Sequence, residues 1–162
     1  MTLDELETYG MVRMTDDEIR GYLASQSVGV LGLPAADAPS MRPLSFGYDG
    51  ESRLYFLYLL GAESRKAELS SRADAARFLV YSAETPFNWR SVLLSGSVAE
   101  VPEAERAAAT ETLTGAWRPD VFERASATEE TGLYRFDVDE QIGIKHLGLP
   151  PEFEPAGGDG AE

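Results

Sequence analysis

The stretch "SRLYFLYLL" constrains the fold more than any other. From Leu54 to Leu60 the run is apolar on both alternating sides. A strand of that kind needs a core against one face and a helix, a ligand or another subunit against the other. Asp49-Gly50 just ahead of it is a strong hairpin-turn signal. The preceding "SMRPLSFGYDG" alternates, with Arg42, Leu44, Phe46 and Tyr48 on one side and Met41, Pro43, Ser45 and Gly47 on the other. These two strands are expected to pair around the turn.

The remaining elements fall on either side of that hairpin. "MTDDEIRGYLASQ" reads as a helix, with Thr15 as N-cap, Asp16, Asp17 and Glu18 at the positive end of the dipole, and Ile19, Tyr22 and Leu23 on one face. "VGVLGL" is a buried strand and "ESRKAELSS" a short helix. "AARFLVYS" and "RSVLLSGSVAEV" are strands, Pro102 opens an Ala-rich helix running to about Trp117, and "TGLYRFDVD" and "QIGIKHL" are two closing strands. Hairpin-like pairs with few crossover helices predict a mainly β chain with flanking helices, an antiparallel barrel of six to seven strands. There is no Gly-x-Gly-x-x-Gly and no Walker loop, so neither a Rossmann nor a P-loop fold is supported.

A chain of 162 residues is expected to form one domain, here 1–149, followed by a disordered acidic tail, 150–162, rich in Pro, Gly and Glu. Without cysteine there is no disulfide framework and no thiolate chemistry. No apolar run approaches the length of a membrane span, and the acidic N-terminus lacks the features of a signal peptide, so a cytoplasmic protein is expected. The net charge of −14, from 28 acidic and 14 basic side chains, disfavours nucleic acid and anionic membranes as partners. With only two lysines against that acidity, the composition also fits a halophilic cell interior, where salt screens self-repulsion.

One of those two lysines is Lys66, directly behind Ser64 and Arg65 in the first turn of the expected helix. Basic groups are unfavourable at a helix N-terminus unless an anion is there. A hydroxyl, a guanidinium, an ammonium and free backbone N–H groups together suit a phosphate. The alternative is a solvated helix start with Lys66 paired to a nearby glutamate.

Residues 14 to 101, through "GVLGLP", "PSMRPLSFGYDG", "RLYFLYLLGAESRKAELSS", "ARFLVY" and "WRSVLLSGSVAEV", resemble the pyridoxamine 5'-phosphate oxidase-like superfamily of FMN-binding split barrels. The pattern is most similar to its nitroimidazole-resistance-type branch. The resemblance implies a homodimer with FMN at its interface, acting on a small-molecule substrate as a flavin-dependent oxidoreductase. It implies that the strand Arg42, Pro43, Leu44, Ser45 lies along the flavin ring and bonds its edge through backbone groups. Tyr58, Leu59 and Leu60 would run beside it, and Ser64, Arg65 and Lys66 would take the phosphate. Trp89 and Ser91 would approach the flavin from the partner subunit. Related split barrels carry a deazaflavin coenzyme or haem instead, and a non-catalytic binding module is the alternative to an enzyme.

His146 is the only histidine and is expected to share a strand face with Ile142 and Ile144. It could serve as proton donor, haem ligand or flavin partner, or as a hydrogen-bonded core residue. Lys145 should point to the opposite face. Trp117 reads as a packing anchor. The acidic pairs Asp16-Asp17 and Glu129-Glu130 and the run "DVDE" read as solvated surface, with no histidine beside them to suggest a metal site. Ser95 and Ser97 have no nearby base, which argues against a hydrolase.

Overall fold

A computed structural model describes residues 2–59, 75–116 and 131–148. The elements in chain order are α1 (Leu3–Thr8), β1 (Met11–Arg13), α2 (Asp16–Ser25), β2 (Val28–Leu33), β3 (Ser40–Ser45), β4 (Gly47–Tyr48), β5 (Arg53–Leu59), β6 (Ala76–Thr85), β7 (Asn88–Glu100), a 3-10 turn (Glu103–Glu105), α3 (Arg106–Ala116) and β8 (Thr131–Leu147). Seven strands run in the order β3-β2-β6-β7-β8-β5-β4, and β1 joins off that path against β8. Among the described residues every pairing is antiparallel.

The chain itself forces this sheet to curl. β3 and β4 lie at opposite ends of the strand order, yet only Phe46 separates Ser45 from Gly47. The two ends must therefore meet, and the sheet becomes a barrel split between β3 and β5. Phe46 bridges the ends by donating its N–H to the Ser27 carbonyl at 2.9 Å. The expected hairpin of "SMRPLSFGYDG" with "SRLYFLYLL" is consequently reduced to β4 on β5, Gly47 opposite Tyr55 and Tyr48 opposite Leu54. β3 turns away to pair with β2 instead. The turn forms as expected: Asp49 Oδ1 accepts from the N–H groups of Glu51, Ser52 and Arg53, and Gly50 takes φ +88°.

Phenylalanines fill the barrel. Phe46, Phe56, Phe78 and Phe136 are fully buried, and Phe78 lies 5.2–6.2 Å, ring to ring, from the other three. The two-sided run of β5 is resolved by a helix. Leu54 and Phe56 enter the barrel core, while Tyr55 and Leu57 join a second cluster with Val101, Ala109, Leu113 and Leu133 beneath α3. On this stretch α3, rather than a ligand or a second subunit, supplies the outer cover.

One expectation is corrected outright. "TGLYRFDVD" and "QIGIKHL" form a single strand, β8. The register against β7 shifts between Ser95, opposite Glu140, and Gly96, opposite Val138, leaving Asp139 as a bulge. The buried phase accordingly changes, from Tyr134 and Phe136 before the bulge to Gly143 after it. That break in periodicity looks like a strand end in the sequence.

The N-terminal α1 and β1 carry no sequence expectation. α1 is closed by a capping box between Thr2 and Glu5, the same device that Thr15 and Glu18 form on α2. The helix expected over 63–71, Trp117 and the tail from Pro150 lie outside the described residues.

Candidate cofactor-binding face

α3 covers the outer side of β5 and the first half of β8, and no other described element lies over the rest of that outer side. Alternation on β2, β6, β7 and the second half of β8 places the cross-strand rows there. One row runs Val30–Leu79–Leu93–Ile142, and the next runs Tyr81–Ser91–Ile144–Arg13. A third runs Ala83–Trp89–His146–Met11. Val28 is 55 % exposed, Tyr81 59 %, Leu93 39 % and Ile142 45 %. In a chain with 28 carboxylates these three rows contain none. An extended apolar sheet face of this kind marks an interaction surface.

The other side of the same strands shows how the face is held. α2 lies against the inner side of β8, where Ile19 and Met14 approach Gly143 so closely that a Cβ there would sit 2.7 Å from Ile19 Cγ1 and 2.9 Å from Met14 Cβ. Lys145 points inward, as expected, and pairs with Glu18 on α2. That hydrogen bond, with the Thr15 N–H, holds the Glu18 carboxyl below its ordinary range. At the other end of β8, Arg135 and Arg53 share Glu105 and Asp137, tying the 3-10 turn before α3 to the sheet. Arg135, through its hydrogen bond, holds Glu105 below the usual carboxylate range.

Of the residues expected at the site, Pro43, Ser45, Trp89 and Ser91 come together on this outer side. Pro43 is opposite Val30 and Ser45 opposite Val28. Leu44 is on the other phase and buried in the barrel core, so only its backbone could serve a ligand on this face. Arg42, opposite Leu31, is exposed on that same phase. Tyr58 and Leu59 lie on β5 opposite Gly132 and Thr131, across the split from β3 rather than hydrogen-bonded to it. Leu60, Ser64, Arg65 and Lys66 lie outside the described residues.

Beside Pro43 the face deepens into a groove of about 600 Å³, lined by Gln26 to Val30, Pro43, and Tyr81 to Ala83. Its size is that of a small-molecule site, and its walls are apolar with a few polar groups. Ser82 Oγ on its rim accepts a hydrogen bond from Tyr22 at 2.9 Å. Val28, Val30 and Pro43 offer a flat aromatic ring a wall, and Tyr81 offers it a phenol. The residues present therefore fit the ring of a flavin or a deazaflavin. A histidine-ligated haem fits less well. His146 does share the face with Ile142 and Ile144, but it is only 6 % exposed, with the Phe87 and Trp89 rings edge-on at 5.8 and 5.9 Å. Its buried Nε2 has no hydrogen-bond partner among the described residues.

Leu79, Leu93 and Ile142 also belong to this face and are not among the residues expected at the site. The signal was present in "FLVY" and "VLL", which are apolar on consecutive positions just as "LYFLYLL" is.

Residues 15–145 match the family model described as pyridoxamine 5'-phosphate oxidase. No curated protein matches the chain. Among solved structures, an FAD-binding protein from Mesorhizobium loti superposes with a TM-score of 0.69 at 18 % identity, over 85 % of this chain and 98 % of that one. A 5-nitroimidazole antibiotic resistance protein, so described provisionally, from Bacteroides thetaiotaomicron gives 0.65 at 18 % identity, over 83 % and 87 %. A haem storage protein from Vibrio cholerae gives 0.66 at 14 % identity, over 82 % and 96 %. At these identities the likeness is one of fold.

Proposed function

The chain belongs to the pyridoxamine 5'-phosphate oxidase family, and from that premise we propose that it is a flavin-dependent oxidoreductase, a homodimer that holds FMN at its interface and acts on a small molecule. The observation that carries this reading is the groove beside Pro43, where a ring-sized apolar cleft opens onto an uncovered apolar sheet face. A cleft open on one side needs a second wall, and a second copy of the same face would provide it while removing Tyr81, Leu93 and Ile142 from water.

Bound flavin supplies hydride or single-electron chemistry. The chain's own contribution is positional. Pro43 and Val30 would form a flat apolar support, and β3, which among the described residues pairs only with β2, would turn the backbone groups of its other edge to the ring. Ser64, Arg65 and Lys66 are the residues assigned to the phosphate. Trp89 and Ser91 lie on the same face, where the second copy excludes water from the cleft. No general acid is required of the protein, and none is assigned.

Turnover tests the enzymatic part. Protein loaded with FMN is mixed anaerobically with NAD(P)H or a reduced deazaflavin, and bleaching of the flavin band is followed by stopped flow. Reoxidation by nitroaromatic or quinone acceptors is then measured. Reduction and reoxidation faster than for free FMN support the oxidoreductase. Tight binding with no rate enhancement makes it a carrier or sensor instead.

A further inference from the structure

The open face ends in a fourth row with a different character. Gly32, Arg77, Ser95 and Glu140 are in register across β2, β6, β7 and β8, next to the Val30–Leu79–Leu93–Ile142 row. Arg77 and Glu140 are both exposed. Among the described residues neither forms an ion pair, and the Arg77 guanidinium donates only to the Ala76 carbonyl, at 3.3 Å. One cation and one anion therefore stand on either side of β7, on strands about 10 Å apart.

That placement is self-complementary for one symmetry only. A two-fold axis lying in the interface along β7 exchanges the β6 side with the β8 side and keeps every row level. Leu79 then meets the partner's Ile142, Tyr81 meets the partner's Ile144, and Leu93 meets the partner's Leu93 at the axis. In the charged row Arg77 meets the partner's Glu140, twice by symmetry. The other in-plane axis, across the strands, would set the charged row against the partner's Ala83–Trp89–His146–Met11 row. Arg77 and Glu140 would then lose water without gaining an opposite charge.

We propose, resting on the homodimer reading, that two copies of this chain pack these faces together about an axis along β7, and that reciprocal Arg77–Glu140 pairs fix that register. Two bodies of charge −14 repel, so a face free of surplus acid and carrying its own matched pair is where they can meet.

Sedimentation equilibrium on full-length protein loaded with FMN, in about 0.15 M KCl where charges still act over ~8 Å, tests this by charge exchange. Arg77→Glu and Glu140→Arg each weaken the dimer, by roughly tenfold or more in Kd. The double variant regains the wild-type Kd to within about threefold, because each reversed charge again faces its opposite. Far-UV CD and melting curves check that each variant is folded. The chain has no cysteine, so Leu93→Cys on the otherwise unchanged sequence provides a second measurement. A short bismaleimide should link the two copies at the axis, where facing sheets are about 10 Å apart. A wild-type dimer with indifferent single variants, a double variant worse than either single, or no Leu93→Cys cross-link overturns the proposed packing and leaves the dimer standing. A wild type that stays monomeric at every concentration overturns the dimer reading as well.

Discussion

Replacing Gly96 by alanine should damage this fold more than its single added methyl suggests. Gly96 sits on β7 opposite Val138, where β8 bulges at Asp139. An added Cβ would lie 1.9 Å from the Asp137 carbonyl oxygen and 2.9 Å from both the Asp137 carbonyl carbon and Phe136 Cε1. Ordinary contact begins near ~3.5 Å, so two backbones must part by more than 1 Å. Neither can yield alone, since β8 is held on its far side by β5 and Phe136 is fully buried. Losing about two ladder hydrogen bonds costs ~1–3 kcal/mol, and forcing Phe136 off its site adds ~1–3 kcal/mol. The sum is about 2–6 kcal/mol, or a Tm lower by ~5–20 °C for a domain of this size. Gly21→Ala is the matched control. Gly21 is on the exposed side of α2 with nothing within 4 Å of its added Cβ, and the change should stabilise by ~0.5–1 kcal/mol. Urea unfolding followed by CD gives both numbers. Gly96→Ala within about 0.5 kcal/mol of wild type would refute the close approach at the bulge, and with it the phase change along β8.

Acid should weaken the attachments of α2 and of the turn before α3. The carboxyls of Glu18 and Glu105 are both held below their ordinary range by their cationic partners, Lys145 and Arg135. The stability they contribute is present above the ordinary carboxylate pKa and is lost as pH falls through the lowered values. Lys145→Ala should therefore show a shallower decline in melting temperature between about pH 5 and pH 3, and a decline as steep as that of wild type would count against the Glu18 contact. Salt should act in the opposite direction. Raising KCl from ~0.1 to ~1 M shortens the Debye length from about 10 to 3 Å and relieves the repulsion of a −14 chain. The urea midpoint should rise, and a midpoint that stays flat or falls would remove the salt-adapted reading.

The elements that announced themselves in the sequence did so through chemistry local to a few residues. Thr15 and Glu18 mark the start of α2, Asp49-Gly50 the turn, and the consecutive apolar residues of β5 its two-sided burial. What could not be read was set by partners distant in the chain. Whether "SMRPLS" pairs with the strand before or after it depends on closure of the barrel at Phe46. The unity of β8 depends on Gly96, some forty residues upstream of the bulge. The open face was obscured for a related reason: Leu93 and Ile142 become neighbours only through the β7–β8 register. α1 was legible in principle, since Thr2 and Glu5 repeat the capping pattern of Thr15 and Glu18.

The most direct test of the account is FMN uptake. Protein purified in high salt is titrated with FMN, and flavin absorbance is followed through sedimentation together with the protein, with Lys66→Ala and Tyr81→Ala alongside. The account predicts flavin bands that travel with a dimer and weaken in both variants, the first at the phosphate and the second at the groove wall. Flavin that remains free while the protein sediments folded, with no uptake of a deazaflavin in its place, would contradict it.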